Sequence, residues 1–446
     1  IKLLNMLRKI LFYGVFLLHY ALVAQQKDQY ILLNNVSVFN GKDAKLIKGN
    51  VLVKNHLIQE IGPNVKSVSA DTQIIDGKGG YVIPGMIDAH AHLLFESISQ
   101  AQAMGFDFAF LNMYAAAAAK RQLLRGFTTV RDLGGGSLSL AKAIDMGLCD
   151  GPRVYSSGAF LSQTGGHGDF GMPTDVPRKL GSMSYAEQNG MVSIADGVDQ
   201  VLLRAREQLR QGATQLKLMA GGGVASNYDP LDVMQYTKEE FEAAVGAAKK
   251  WGTYVTVHAY TPEAIQTAIH AGVKCIEHGQ LADEASVKLM AEKGIWWSLQ
   301  PFLNDDDAIS YEHGSANEKK LLEMTNGTDN AYKLAKKYNI KVAWGTDCLF
   351  DAALANKQGK QLAKLKRWFT PYEILKMATS TNGELMSLCG KRNPYPDGKI
   401  GELSKGTYAD LILVQGNPLE NINLIEDPEQ NFKVIIKNGI VYKNTL

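Results

Sequence analysis

The chain has 446 residues, of which 46% are hydrophobic and 21% charged, the balance of an ordinary globular protein. This length exceeds what one compact core usually supports, so we expect a large domain together with a smaller one. The formal net charge is only +2 and no basic run occurs, which argues against a nucleic-acid partner or an anionic membrane surface. A small neutral or zwitterionic ligand fits this composition better.

The first 24 residues have the layout of a secretory signal peptide. Arg8 and Lys9 precede an apolar stretch from Ile10 to Ala24, which ends in small residues before Gln25. This stretch is short for a membrane-spanning helix, and an uncleaved N-terminal anchor is the alternative interpretation. We therefore expect an exported protein, periplasmic or secreted, with no membrane contact after cleavage.

Short apolar runs separated by turn residues fill residues 25–82 and again residues 397–446. Runs such as Tyr30–Leu33 near one end and Val434–Ile436 near the other are typical of β-strands. Because an open sheet edge invites unwanted pairing, the two segments are expected to complete each other. The sequence thus predicts one small β-sandwich domain formed from opposite ends of the chain.

The intervening residues 83–396 alternate strand-like apolar runs with helical stretches. Eight strands are predicted near residues 83–92, 127–132, 153–160, 214–219, 253–258, 274–278, 295–300 and 340–346. Eight strand–helix units predict an α/β fold, a (β/α)8 TIM barrel with insertions. A doubly wound open sheet is the rival, but no Gly-x-Gly-x-x-Gly follows the first predicted strand.

The first barrel strand leads into a His-Ala-His sequence, within Pro84–His92. Side chains two residues apart on a strand point to the same face, so His90 and His92 leave the strand together. Two imidazoles so placed can hold one metal ion. The alternative is a pair of unrelated histidines, one of them on a solvent-facing turn.

Polar residues recur at the ends of later predicted strands. They are Lys217, His258, His278 and Asp347. Since the C-terminal strand ends of a barrel converge on one mouth, these side chains are expected to meet His90 and His92 there. Asp347 has two plausible roles, metal ligand and acceptor of a proton from metal-bound water. Lys217, if protonated, repels a cation, so by itself it suggests a pocket cation or a side chain that extends to the barrel rim.

This set of residues resembles the amidohydrolase superfamily, in which Pro-Gly-Met-Ile-Asp-x-His-x-His begins the barrel. The stretches Thr164–Gly168, Leu216–Val224, Val257–Ala264 and Gly390–Pro394 are similar to one branch of it. That branch is the imidazolonepropionase-like, Xaa-Pro dipeptidase (prolidase)-like group of binuclear metal-dependent hydrolases. The resemblance covers nearly all of the chain after the first 24 residues.

The resemblance implies a site with two divalent metal ions, usually zinc. By this similarity His90, His92 and Asp347 hold one ion, His258 and His278 hold the other, and Lys217 bridges both. The bridge is a carbamate formed from CO2 on the lysine, which turns a cation into an anionic ligand. A hydroxide that also bridges the ions then attacks the amide carbon, and Asp347 passes its proton to the leaving amine.

Two substrate contacts also follow from the resemblance. In similar enzymes a histidine in the position of His167 hydrogen-bonds the substrate carbonyl and stabilises the oxyanion. An exposed loop histidine is the alternative. Tyr228 is expected to contact the carboxylate end of the substrate, with a packed loop tyrosine as the alternative. Relatives commonly have proline where this chain has Asn227, which makes the shape of this loop a point of difference.

Several other reactive side chains are predicted to be structural. The histidines that fit no ligand position are His19, His56, His270 and His313. The scattered cysteines Cys149, Cys275, Cys348 and Cys389 predict no disulfide framework, with Cys275 in the core and Cys348 beside the pocket. Arg131 has two interpretations, a binder of a substrate carboxylate and a structural ion pair with Asp132 or another neighbour.

The sequence therefore predicts an exported, metal-dependent amidohydrolase that hydrolyses an amide bond in a small substrate. Dipeptides (Xaa-Pro, Xaa-hydrophobic or Xaa-basic) and N-acyl amino acids are the expected substrates. A cyclic-amide hydrolase of the imidazolonepropionase type, or a deaminase, is the alternative on the same scaffold. A catalytically silent metal-binding protein is the alternative of another class, although a pure binder has no need of a proton shuttle such as Asp347. A homo-oligomer is a reasonable expectation for the assembly.

Overall fold

The computed structural model describes residues 27–179 and 181–446. The predicted signal peptide, residues 1–24, lies outside the described residues, so its cleavage and the export of the protein stay predictions. Within the described ranges, no helix is both long and apolar enough to cross a membrane.

Strands from both ends of the chain form one eight-stranded sheet. Its strands are β1 (Tyr30–Val38), β2 (Ile47–Lys54), β3 (Leu57–Gly62), β4 (Gln73–Asp76), β5 (Tyr81–Pro84), β16 (Leu411–Val414), β17 (Phe432–Lys437) and β18 (Ile440–Asn444). The join is the antiparallel pair of β5 and β16, in which Tyr81 lies opposite Val414 and Pro84 opposite Leu411. The two terminal segments therefore share one sheet.

Ten short strands between these segments run parallel to their neighbours, in a seven-stranded and a three-stranded sheet. They are β6 (Met86–Ala91), β7 (Phe127–Asp132), β8 (Arg153–Ser156), β9 (Phe160–Ser162), β10 (Val192–Ile194), β11 (Leu216–Met219), β12 (Val255–Ala259), β13 (Cys275–His278), β14 (Trp296–Ser298) and β15 (Val342–Ala343). Backbone hydrogen bonds link the two sheets at both seams. The Ala89 N–H donates to Trp344 O (3.1 Å), and the Thr214 N–H donates to Ser156 O (2.8 Å).

Helices connect and cover the parallel strands. They are α1 (Gln100–Gly105), α2 (Phe108–Leu124), α3 (Leu138–Asp145), α4 (Tyr185–Gln188), α5 (Val198–Gln211), α6 (Lys238–Trp251), α7 (Pro262–His270), α8 (Glu284–Lys293), α9 (Ala316–Lys337), α10 (Ala352–Asn356), α11 (Gln358–Ala363), α12 (Pro371–Lys376), α13 (Asn382–Met386) and α14 (Pro428–Asn431). Local sequence sets their ends: α6 begins at a capping box of Thr237 and Glu240 and ends at Gly252, whose φ is +77°.

The main apolar core lies between the parallel strands and these helices. Leu218, Val257 and Ile276 from neighbouring strands and Ala244 and Ile265 from helices are fully buried within it. Burial of each large aliphatic side chain contributes about 1.5–3 kcal/mol, so this layer holds the strands in register. The polar C-terminal ends of the strands are thereby fixed on one side of the molecule.

The structure departs from the predicted strands at two places. The strand predicted near 83–92 is divided at Gly85 into β5, which belongs to the eight-stranded sheet, and β6. The single strand predicted near 153–160 is divided into β8 and β9, and β10 was not anticipated. Between β8 and β9 lies Gly158 with φ of +69°, and a Cβ there would lie 2.5 Å from Gln208 Oε1. A left-handed residue cannot continue a strand, so the chain bends at this glycine. Strands of three residues are also too short to show a periodic pattern.

Candidate active site

All six residues predicted from the strand ends line one cavity of about 480 Å³. They are His90, His92, Lys217, His258, His278 and Asp347. The four histidines and the lysine are each no more than 4% exposed. The structure thus brings together, from five different strands, the set that the sequence singled out.

Ring nitrogens of three of these histidines converge on the carboxylate of Asp347. Asp347 Oδ1 lies 3.1 Å from His90 Nε2 and 3.3 Å from His92 Nε2, and Asp347 Oδ2 lies 3.9 Å from His278 Nε2. The ligating atoms of His90, His278 and Asp347 all lie within 4.8 Å of one another. Imidazole nitrogens and a carboxylate at this spacing are donors that suit zinc and similar divalent ions.

Each histidine has one ring nitrogen hydrogen-bonded away from this centre. The bonds join His90 Nδ1 to Glu277 Oε2 (2.9 Å), His92 Nδ1 to Gly134 O (3.0 Å), His278 Nδ1 to Gln300 Oε1 (2.8 Å) and His258 Nε2 to Gly222 O (3.0 Å). All four partners are acceptors, so the bonded nitrogen carries the proton. The other nitrogen then presents its lone pair to the cavity, which is the tautomer a metal ligand requires.

The protonation states suit cation binding. Burial lowers the pKa of His278 to about 3 and that of His258 well below its usual value, so both rings are neutral near pH 7. Burial opposes ionisation of Asp347, but His90 and His92 outweigh it and hold the pKa of this carboxyl well below its usual range. The centre therefore offers two neutral imidazoles, those of His258 and His278, and an ionised carboxylate, that of Asp347.

Lys217 lies among these donors and not at an exposed rim. Its side chain is only 1% exposed. Burial lowers the pKa of Lys217 to about 8, against the opposing charges of Glu277 and Asp347. A substantial neutral fraction of the amine is thus present slightly above neutral pH.

A buried ion pair supports the residues of the candidate metal centre. Arg131 Nη2 donates to Glu277 Oε1 at 2.6 Å, and both side chains are fully buried. Arg131 also donates to Ala89 O and Tyr254 Oη. Of the two interpretations of Arg131, the structural ion pair is correct, with Glu277 as its partner. Sequence reasoning missed Glu277, although an acid inside the apolar strand β13 was a usable signal.

His167 lies at the mouth of the same centre. Its ring stacks on that of His258 with 4.2 Å between centroids. Its Nδ1 is 2.7 Å from Ser226 Oγ and 3.5 Å from Asp229 Oδ2. A Cβ at Gly223 would lie 2.0 Å from His167 Cε1, so this position must be glycine for the ring to lie where it does.

The structure does not bring Tyr228 to this centre. Its side chain is 52% exposed and lines a separate groove with residues such as Met172 and Tyr185. Its predicted contact with the substrate carboxylate stays a prediction. Two other histidines also lie elsewhere: His56 pairs with Asp397, and the side chain of His313 is fully exposed. His19 lies outside the described residues.

A second cavity of about 710 Å³ adjoins the first. The two cavities share His167, His258 and Asp347 as lining residues. The walls of the larger cavity are mostly apolar, with Tyr260 and Phe302 among them. Two adjoining clefts that meet at polar groups suit a small molecule whose reacting bond lies between two larger parts.

The sequence profile of the amidohydrolase family matches residues 81–442. The chain belongs to the amidohydrolase family. The prediction of a hydrolase that acts on carbon–nitrogen bonds is thereby confirmed, and so is its resemblance to the prolidase-like branch.

Individual relatives agree with this assignment. The amidohydrolase is 34% identical over 371 residues to ochratoxinase of Aspergillus niger, covering 78% of this chain and 73% of the relative. A crystal structure of a prolidase complexed with N-methylphosphonate-L-proline is 30% identical with a TM-score of 0.83, covering 94% of this chain and all of the other. The A. niger ochratoxinase structure is 27% identical with a TM-score of 0.81, covering 94% and 96%. These neighbours place the amidohydrolase in the TIM-barrel class of α/β folds.

In the amidohydrolase, helix α9 clamps the loop that supports His167. Lys320 Nζ donates to three carbonyl oxygens of this loop, those of Gly223 (3.0 Å), Ser226 (2.9 Å) and Asp229 (2.7 Å). From one turn earlier, Asn317 Nδ2 donates to Ser226 O (3.2 Å). The same loop holds Ser226 and Asp229 against the His167 ring, so the lysine fixes this ring indirectly.

All four cysteines of the amidohydrolase are free thiols. Cys275 is fully buried, as predicted for a core residue. Cys348 is 3% exposed and lies on the wall of the larger cavity, beside Asp347. Burial raises the pKa of the Cys348 thiol well above its usual value, so this residue is unsuited to nucleophilic attack.

Proposed function

We propose that this amidohydrolase uses divalent metal ions to cleave the amide bond of a dipeptide or an N-acyl amino acid. The observation that carries the proposal is the convergence of four histidines, Lys217 and Asp347 with the outer histidine nitrogens bonded away from the cavity. Relatives named ochratoxinase, prolidase and Xaa-Pro dipeptidase support an amide substrate.

The finer architecture belongs to the same proposal. We take the parallel strands to form a closed (β/α)8 barrel over residues 83–396, supported by the hydrogen bonds at both seams. Residues 25–82 and 397–446 then form the small β-sandwich domain. The pairing of β5, which extends to Pro84, with β16 supports the joining of these two segments in one domain.

The donor set fits two zinc ions. His90, His92 and Asp347 would hold one ion and His258 and His278 the other, with a carbamate on Lys217 between them. Bound zinc supplies Lewis-acid polarisation of the substrate carbonyl and lowers the pKa of water towards about 7. A neutral Lys217 amine, which burial favours, is the form that can react with CO2.

The chain's own residues then perform the remaining tasks. Asp347, ionised and in contact with His90 and His92, accepts the proton of the attacking water and delivers it to the leaving nitrogen. His167, fixed by Ser226 and Asp229, donates a hydrogen bond to the oxygen of the scissile carbonyl. The apolar walls of the cavities exclude water from both sides of the amide.

A substrate panel tests this proposal directly. Zinc-loaded protein in bicarbonate is assayed with Xaa-Pro, Xaa-hydrophobic and Xaa-Arg/Lys dipeptides, N-acyl amino acids and ochratoxin, and free amino acid is measured. Release from any subset supports the proposal. Ring opening or ammonia release from cyclic amides or aminated heterocycles instead would favour the cyclic-amide hydrolase or deaminase. Tight metal binding with no turnover of either class would indicate a silent binding protein.

The carbamate gives a separate prediction. Protein loaded with zinc in carbon-13 bicarbonate is expected to show one protein-bound carbamate resonance, which disappears in Lys217→Met. Lys319 is exposed, and the variant Lys319→Met is the matched control, which should leave the resonance unchanged. Two bound metals beside an unmodified Lys217 amine would contradict the bridging role.

Removal of the α9 clamp should lower turnover without loss of the metal site. In Lys320→Met three hydrogen bonds to the 223–229 loop are lost, and His167 is held less firmly. We expect kcat to fall about 10-fold with little change in KM, because small displacements of a positioned group are costly. Lys320→Arg should recover part of this loss. Zinc content should be unchanged, and Lys319→Met, one residue away and exposed, should behave as wild type. A kcat in Lys320→Met equal to that of wild type would contradict the proposed role of Lys320 in holding His167.

A further inference from the structure

Four phenylalanine rings form an apolar wall beside the candidate metal centre. Phe95, Phe160, Phe170 and Phe350, together termed the phenylalanine box, all line the 480 Å³ cavity. Their ring centroids are separated by 5.4 Å (Phe95–Phe350), 6.1 Å (Phe95–Phe170), 6.3 Å (Phe170–Phe350) and 6.4 Å (Phe160–Phe170). The Phe95 ring also lies 6.4 Å from that of His92, so the box directly adjoins the centre. In the proposed reaction these rings have no role beyond the exclusion of water.

Glycines allow the backbone to pack closely against the rings at the back of the box. A Cβ at Gly134 would lie 2.3 Å from Phe160 Cδ1, and one at Gly168 would lie 2.4 Å from Phe160 Cε2. A Cβ at Gly135 would lie 3.1 Å from Phe95 Cε2. Phe95 and Phe160 are only 1% and 3% exposed. This wall is therefore formed before any ligand binds.

The front of the box is connected to the candidate catalytic acid. Phe350 is half-buried and has φ of +58°, and its N–H donates to Phe95 O at 2.9 Å. Asp347, three residues earlier, also has a positive φ, of +50°. Left-handed backbone is costly for such residues and persists where the surroundings hold it, often at functional sites. One short loop thus places Asp347 at the candidate metal centre and the ring of Phe350 in the phenylalanine box.

The charges of the two cavities differ. Besides the phenylalanines, the box side is lined by Met219, and by Ala225 and Leu349, which the larger cavity shares. Among the described residues, the charged groups that line this side belong to the metal centre. The larger cavity instead has Asp307 and Lys364 on its wall. A charged side chain in the box would lose its hydration without gaining a partner. The box is therefore suited to an uncharged apolar group.

We infer that the phenylalanine box binds an aromatic or bulky aliphatic group next to the scissile amide. The inference rests on the proposed function and narrows its substrate class to amides with a large apolar substituent on one side, and it disfavours a basic side chain there. Aromatic ligand groups would pack on the four rings with the offset or edge-to-face geometry that such rings prefer. The larger cavity, with its charged residues, receives the other part of the substrate.

Ligand binding tests the box independently of turnover. We compare acetohydroxamic acid with phenylacetohydroxamic acid by calorimetry on zinc-loaded wild type, Phe350→Ala and Phe170→Ala. The phenyl group should increase the affinity of wild type at least 10-fold, and this advantage should fall to about 2-fold in either variant. Zinc content and the thermal unfolding midpoint verify that the variants are folded, and Phe350→Leu, which keeps an apolar group, should retain part of the advantage. Phe110→Ala, on α2 and 45% exposed, is the matched control and should resemble wild type.

The outcomes separate this inference from the proposed function. Two results would overturn the inference that the phenylalanine box binds an apolar group. One is equal affinity of wild type for the two hydroxamates, and the other is an undiminished gain in affinity from the phenyl group in both variants. With amide substrates, the ratio of kcat/KM for Phe-containing over Gly-containing dipeptides should fall about 10- to 100-fold in Phe350→Ala. A phenyl advantage without any amide turnover would leave the box standing and reject the proposed function. Amide turnover with no preference for apolar substituents would support the proposed function and reject the phenylalanine box as a binding site.

Discussion

Amide turnover is expected to fall by a factor of about 10²–10⁴ in Asp347→Asn. The amide keeps the size of the side chain and an oxygen for His90 and His92, but it cannot accept a proton from water. The low pKa of Asp347 keeps it ionised in the wild type, so the loss should be the same throughout the neutral pH range. Steady-state kinetics on the best substrate of the panel measures this effect.

Metal analysis of the same variant distinguishes the two roles of Asp347. If the residue acts mainly as proton carrier, zinc content should fall much less than kcat does. Undiminished activity in Asp347→Asn would refute the proposed mechanism. Loss of zinc in proportion to the loss of activity would instead show that Asp347 acts mainly as a metal ligand. Another residue would then have to carry the proton.

The second large effect is expected from Glu277→Gln, which breaks the buried ion pair with Arg131. Burial raises the pKa of Glu277, but the charge of Arg131, with His90, outweighs this effect and holds the pKa well below its usual range. Glu277 is therefore ionised, and the substitution removes an anion. Arg131 then remains fully buried without a counter-charge, a change that typically costs about 3–5 kcal/mol of stability. Equilibrium or thermal unfolding of the metal-free protein measures this loss.

The same substitution should weaken metal binding. Glu277 Oε2 accepts the proton of His90 Nδ1, whereas a glutamine amide at that position would offer a donor instead. His90 is then driven to the tautomer that carries its proton on Nε2, the nitrogen facing the centre. Loss of such a supporting hydrogen bond typically lowers metal affinity by about 10- to 100-fold.

A surface acid provides the matched control for Glu277. Glu284 pairs with Lys337 on exposed helices, and its side chain is 46% exposed. Glu284→Gln should leave both the unfolding midpoint and the zinc affinity at wild-type values, because exposed ion pairs contribute little. Wild-type stability and zinc affinity in Glu277→Gln would show that the pair neither supports the fold nor orients His90.

The candidate metal residues were accessible from sequence because each follows an apolar strand. His90 and His92 share a face by strand periodicity alone, and in a barrel the ends of all strands meet on one side. The pattern therefore placed residues from 90 to 347 in one cavity without any knowledge of the loops. The same reasoning could not divide the predicted strand 153–160, since the bend at Gly158 lies against Gln208, a residue distant along the chain.

Residues that act through packing were not accessible in this way. The sequence marks Glu277 only as an acid inside an apolar strand, and its role follows from the positions of Arg131 and His90 beside it. Lys320 is one of two adjacent lysines on α9, and only helix rotation determines that it contacts the 223–229 loop. Tyr228 was expected near the substrate, yet its loop turns it into a separate groove. Loop conformation depends on such long-range contacts and not on local pattern.

The sequence by itself determined the residues of the candidate metal site, because strand periodicity and residue chemistry are local properties. Its resemblance to the amidohydrolases gave the family and the class of reaction. Tertiary structure alone decided which acid orients His90, which lysine supports His167, and that four phenylalanines between residues 95 and 350 line one cavity. Each of these depends on side chains that are distant along the chain and close in space. Their contacts arise only when the helices and loops have packed against the strands, which no local pattern encodes.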